Sequence, residues 1–387
     1  MAGTNWRAVV LAYAIGVIGA VQVGRLAPAT EELRDGLSMS LASLGWAIST
    51  ITLPSALLGV AAGLWVRRRG ARQALLLGAG LLAVAALAAS AAPNALLLTL
   101  LRGVEGIGYL AIVVAAPTLM AEQAQGRDQQ AALALWGTFF TFGLSLAAMA
   151  GGGLSVAWGW RGWFAANALL VAGAALLALR ALPRAPEPVQ LAPGAAPERG
   201  RLGAAAWLLG AAFLGMTLVT LALMSMMPSF LIEMRGFTQA EAGRATGLVA
   251  LAAIAGSLSY GLIGSRIRPG LLIGLAGALL LLCALPAFDP RLGLGAAMTA
   301  AVIAVYGSGV LTGFTFAAVP RLAPSAAEVG PTNGLIAQLG SIGAFLGPPL
   351  IGGLVTRYGW QALSLAIIGF TLSFLILGWA ALRAAQR

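Results

Sequence analysis

Three ionisable side chains fall inside long apolar runs of this 387-residue sequence: Arg25, Arg102 and Glu105. Placing a charge at the centre of a membrane helix costs at least ~2.5–3.5 kcal/mol on insertion scales, so such residues are functional candidates by default. Arg102 and Glu105 are three positions apart, which puts them on one helix face and lets them pair; Tyr109 extends the same stripe. As a coupling site, Glu105 takes and releases a proton while Arg102 tunes its affinity. The alternatives are a static ion pair or an Arg102 that snorkels to the surface. Arg25, with Gln22 one turn earlier, can present a cation and an amide to an anionic group; otherwise it reaches outer headgroups. Gln338, Asn333, Asn167, Thr138, Thr141, Thr312 and Thr315 are candidate cavity-lining residues, although Thr hydroxyls commonly bond their own helix backbone.

Other chemistries are poorly supplied. The sequence has no His and one cysteine, Cys283, so imidazole metal ligation, His acid–base catalysis and an internal disulfide are excluded. No GxxxxGK[ST] loop is present, which removes the common phosphate cradle. The expectation is neither an enzyme nor a cofactor or metal protein.

The elements that hold these residues follow from composition. With 60% hydrophobic and 9% charged residues, the chain is far greasier than soluble domains at ~25% charged. Twelve apolar runs long enough to span a bilayer are predicted, six between residues 7 and 182 and six between 204 and 382. The run from Val9 to Gly24 is longer than a signal-peptide core and reads as the first span. Every basic residue is Arg, and with both termini inside, fifteen of the 23 fall on the cytoplasmic side and six outside. The positive-inside rule therefore sets the orientation, and the net charge of +11 reads as topology rather than as a nucleic-acid surface. Residues 183–203 hold five prolines and are predicted to be a cytoplasmic linker between bundles at 1–182 and 204–387. A multi-pass protein of a bacterial inner membrane is expected, with lipid as its surroundings.

The two bundles repeat. Pro28 matches Pro228, Gly152-Gly153-Leu154 matches Gly352-Gly353-Leu354, and Trp158-Gly159-Trp160 matches Tyr358-Gly359-Trp360, all 200 positions apart. Gly106-x-Gly108 pairs with Gly307-x-Gly309 at 201. Six spans per repeat give both halves the same orientation, the parallel arrangement in which solute binds near the midplane. Trp158, Trp160 and Trp163 are placed in an outer aromatic belt.

These motifs resemble the major facilitator superfamily across essentially the whole chain. Gly63-Leu-Trp-Val-Arg67-Arg68-Arg69-Gly70-Ala71-Arg72 resembles its signature loop between the second and third spans, with Arg67 where the family has an acid that helps lock the cytoplasmic gate. The resemblance thus implies a gate loop of Gly63, Arg67, Arg68, Gly70 and Arg72 that uses another acid. Arg102-x-x-x-Gly106-x-Gly108 is similar to the fourth-helix motif, whose Arg is associated with proton coupling. Gly347-Pro348 resembles an eleventh-helix pattern, while Ala148-Met149-x-x-Gly152-Gly153 lacks the Gly-Pro of drug/proton antiporters.

The implied fold is all-α integral membrane, twelve helices in two pseudo-symmetric six-helix bundles. The implied function is secondary transport of a small solute, an organic anion or polar metabolite, by alternating access with a proton or other coupling ion. Proton-driven export of drugs or hydrophobic compounds is the alternative. Arg25, Gln22, Tyr109 and Gln338 are then the solute-facing candidates, Arg102 and Glu105 the coupling pair, and a monomer without nucleic-acid partners is expected.

Overall fold

Hydrocarbon offers no hydrogen bonds, so a chain this apolar must satisfy its backbone within each segment, and the helix is the open-chain way to do that. The computed structural model describes residues 3–39, 41–183, 202–323, 325 and 328–385. Among them no strand occurs. The helices are α1 Trp6–Gly24, α2 Thr30–Leu37, α3 Leu41–Thr50, α4 Leu53–Arg69, α5 Ala71–Ser90, α6 Ala95–Gln123, α7 Arg127–Trp136 and α8 Phe139–Ala181. After residues 184–201, which lie outside the described residues together with most of the expected linker, follow α9 Ala204–Arg235, α10 Gln239–Ile263, α11 Pro269–Ala287, α12 Leu294–Leu322, α13 Val329–Tyr358 and α14 Gln361–Ala384.

Twelve candidate membrane spans result among the described residues, because the helices do not map one to one. The second span is interrupted between α3 and α4, where Pro54 occupies the first turn of α4; proline lacks the N–H that would continue the ladder. α8 runs through two spans and breaks at Gly159, whose φ of 66° is left-handed. Its repeat partner Gly359 has φ 79° and separates α13 from α14. Both positions need a residue without a Cβ, so the repeated aromatic-Gly-Trp motif marks one structural corner in each half.

Two compact units emerge, and each takes a short segment from the far half of the sequence. The first comprises Met1–Gln125, Phe139–Leu202 and Ser325–Gln338; the second comprises Gly126–Thr138, Gly203–Pro324 and Leu339–Arg387. In the first unit α5 packs on α6 and α8, and α1 packs on α6 and α8. In the second, α12 packs on α10 and α11, and α14 packs on α9 and α11. Glycines allow these approaches. A Cβ on Gly108 would meet Gly78 O of α5, and one on Gly106 would meet Pro54 of α4. In the other half Gly307 faces Ala276 of α11 and Gly309 faces Ala253 of α10. Each glycine pair thus serves the same two neighbouring spans, in reverse order.

The aromatic belt is corrected in part. Trp158 is exposed, as an interfacial residue should be, but Trp160 and Trp163 are buried with Leu26, Leu33, Leu44 and Phe164 in an apolar cluster. The chain turns a corner at Gly159, between Trp158 and Trp160, and residue type alone does not tell which side of that corner faces inward.

Gly78 gives a direct test of the close packing. A Cβ there lies 2.7 Å from Ala111 Cβ and 2.8 Å from Gly108 O, whereas nothing lies within 4 Å of one on Gly80. Gly78→Val should lower the melting temperature in detergent, with a cost of ~1–3 kcal/mol from overpacking. Gly80→Ala should leave it unchanged or raise it, since Ala outperforms Gly in a helix.

Candidate functional site

The three ionisable residues singled out by the sequence form one buried cluster. Arg25 caps the C-terminus of α1, and Arg102 and Glu105 lie on α6. All three are 0% exposed, so Arg25 reaches no outer headgroup and Arg102 does not snorkel. Glu105 is shared: one carboxylate oxygen accepts from Arg25 Nη2 at 2.5 Å, the other from Arg102 Nη1 at 2.6 Å. Two guanidiniums on one carboxylate leave a residual positive charge in a medium that supplies no counter-ion.

Neutral groups hold the two cations in place. Arg102 donates through Nε to Ala47 O (3.1 Å), through Nη1 to Gln22 O (2.8 Å) and through Nη2 to Val23 O (3.4 Å). The carbonyls come from α3 and the end of α1, so Arg102 ties three helices together. Arg25 Nη1 donates to Gln22 Oε1 at 2.6 Å, and its Cζ lies 4.3 Å from the centroid of Phe164, a cation–π contact. Gln22 Nε2 reaches Asn167 Oδ1 at 3.4 Å, and Trp163 Nε1 donates to Arg25 O at 3.0 Å. Asn167 and Trp163 are both on α8, and the cluster is therefore a junction of α1, α3, α6 and α8.

The remaining candidates lie elsewhere. Tyr109 is buried against Gly19 of α1. Gln338 clamps the backbone of α4, accepting from Val60 N at 3.0 Å and donating to Leu57 O at 3.4 Å. Thr312 and Thr315 bond carbonyls of their own helix and Thr138 bonds Leu135 O at the end of α7, whereas Asn333 donates to Thr118 Oγ1 at 3.1 Å.

The loop from Gly63 to Arg72 is built around a contact that sequence reading did not supply. Arg67 Nη1 donates to Glu328 Oε1 at 2.9 Å. Glu328 immediately precedes α13, and its segment belongs to the same compact unit as α4. The two backbones approach through glycine: a Cβ on Gly63 would lie 2.7 Å from Pro331 Cα and from Gly330 O. Gly70, at φ 82°, ends α4 by donating to Val66 O. Arg72 then caps the end of α8 through Leu179 O and Leu182 O, and Arg68 is exposed. The acid opposite Arg67 thus comes from 261 residues away. Glu328 is the single acid after Asp289, and that isolation was the available signal. In the second unit, residues 126–138 dock by hydrogen bonds, without an ion pair to the described residues: Arg321 Nη2 donates to Gln130 Oε1 at 2.9 Å, and Ser257 Oγ donates to Ala134 O at 2.6 Å.

Comparison with known proteins agrees with this architecture. The family model for the Major Facilitator Superfamily matches residues 9–348. A relative from Mycobacterium tuberculosis, described as a probable nitrate/nitrite transporter NarK2, is 33% identical over 201 residues, half of each chain. The multidrug resistance protein Stp of the same organism is 26% identical over 140 residues, covering 36% of this chain and 26% of that one. The chain thus spans half or less of the length of these relatives. The solved structure of the proton:xylose symporter XylE superposes with a TM-score of 0.81 at 14% identity, over 97% of this chain and 95% of that one. At that identity the likeness is one of fold.

Arg67 and Glu328 are mostly buried, at 22% and 10% side-chain exposure, so their pairing should be measurable. A double-mutant cycle of Arg67→Gln and Glu328→Gln, read by melting temperature, should give a coupling of about 1 kcal/mol. The exchanged pair, Arg67→Glu with Glu328→Arg, should recover most of the loss of either single reversal.

Proposed function

Because this chain belongs to the Major Facilitator Superfamily and is a multi-pass membrane transporter, we propose that its cargo is a small anionic solute, moved by alternating access and coupled to protons. The observation that carries this is the charge of the buried cluster: two guanidiniums share one carboxylate, with no side chain exposed. A fold that keeps a surplus cation fully buried bears a cost of several kcal/mol unless an anion offsets it. A solute anion that visits the cluster supplies that offset during the transport cycle. The half-length resemblance to a protein described as a nitrate/nitrite transporter supports the same class.

Coupling follows from Glu105. When an anion takes Arg25, Glu105 keeps only Arg102 and can pick up a proton; when the proton leaves, Glu105 reclaims Arg25 and favours release. Arg67 and Glu328 act at a different place, fastening the start of α13 to α4, and we assign them to the gate loop with Gly63, Arg68, Gly70 and Arg72. We read both termini as cytoplasmic, which the Arg distribution supports, and the protein as a monomer of a bacterial inner membrane. A second reading, proton-driven export of hydrophobic compounds, is favoured by the resemblance to Stp; the absent Gly-Pro in residues 148–153 stands against it.

Purified protein in proteoliposomes discriminates the two. Labelled small oxyanions should exchange by counterflow and raise the melting temperature of the folded protein, while hydrophobic cations do neither. Under imposed proton gradients, Glu105→Gln should transport at a rate insensitive to pH, unlike the parent. Unchanged pH dependence in Glu105→Gln would remove the coupling role. Counterflow of hydrophobic cations alone would replace the anion reading.

A further inference from the structure

The two arginines of the cluster share Glu105 but are held differently. Arg102 engages all three of its nitrogens, on Ala47 O, Gln22 O, Val23 O and Glu105. Arg25 uses Nη1 on Gln22 and Nη2 on Glu105, and its buried Nε has no hydrogen-bond partner. A buried donor without an acceptor is uncommon and calls for an explanation.

Guanidinium groups bind planar oxyanions best at two points, through parallel N–H groups along one edge. On Arg25 that edge is formed by Nε and Nη2. Glu105 touches it with one oxygen only, because its other oxygen is committed to Arg102. The edge is half occupied. Phe164 makes a cation–π contact with the guanidinium, its ring centroid 4.3 Å from Cζ. Charge counts the same way: one monovalent anion brings Arg25, Arg102 and ionised Glu105 to neutrality, whereas a divalent anion overshoots unless Glu105 is also protonated.

We propose that the Nε–Nη2 edge of Arg25 is the seat of a small, planar, monovalent oxyanion, of the carboxylate or nitrate type, which displaces one oxygen of Glu105 while the other stays on Arg102. Arg25 is then the exchangeable cation and Arg102 the fixed one. This deepens the anion-transport reading and rests on it. The cluster is sealed here, so the anion reaches Arg25 in a conformation where the end of α1 parts from Trp163 and Phe164 of α8.

The test uses the full chain, with nitrate, acetate and sulfate as probes at matched ionic strength and neutral pH. Nitrate and acetate should raise the melting temperature and enter proteoliposomes, and sulfate should bind at least tenfold more weakly. Arg25→Lys keeps the charge but lacks the two-point edge, so it should melt near the parent and lose at least tenfold in apparent nitrate affinity. The sulfate comparison needs no variant and stands if Arg25→Lys fails to fold. Equal affinity of the parent for sulfate and nitrate overturns the charge matching. Parent-like nitrate binding by Arg25→Lys overturns the edge assignment, with anion transport intact. If the parent neither binds nor takes up nitrate or acetate, the transport reading falls as well.

Discussion

A fully buried carboxylate held between two guanidiniums, out of reach of water and counter-ions, is the constraint around which the first unit is arranged. Glu105 needs both cations and each cation needs it. Because Arg25 closes α1, Arg102 and Glu105 sit on α6, and Ala47 O belongs to α3, the charge pairing also fixes how those helices meet. α8 completes the junction with Trp163, Phe164 and Asn167. In water such a cluster adds little stability. Fully buried, it leaves an uncompensated charge when broken, at ~3–5 kcal/mol.

The second unit contrasts with this. Its buried polar side chains, among the described residues, are neutral: Gln130, Thr138, Ser257, Ser308, Thr315, Ser364 and Thr371. Its close contacts run through glycines, with Gly343 against Leu214 and Gly347 against Leu218. Such a unit gains from tight van der Waals packing.

Much of the fold was legible in the sequence because lipid imposes a simple rule of length and apolarity. Twelve spans follow from that rule, and the repeat placed the corner glycines Gly159 and Gly359, whose backbones are both left-handed. The i, i+3 pairing of Arg102 with Glu105 was equally local. What sequence did not reveal was long-range. Glu105 has a second cation 80 residues away, and Arg67 finds its acid 261 residues away. Periodicity carries no information about which distant helix supplies a partner. Trp160 and Trp163 were assigned to an aromatic belt for the same reason: their type fits the interface, and only the packing of α8 turns them inward.

The central claim is that Glu105 serves Arg25 and Arg102 together, and stability measures that most directly. Melting temperatures of Arg25→Gln, Glu105→Gln and the double variant, in the same detergent, report whether the two side chains are coupled. Glu105→Gln leaves two buried cations without a carboxylate, and the double variant leaves one. The account predicts that the double variant is at least as stable as Glu105→Gln alone. Losses that simply add, as for independent sites, would contradict it.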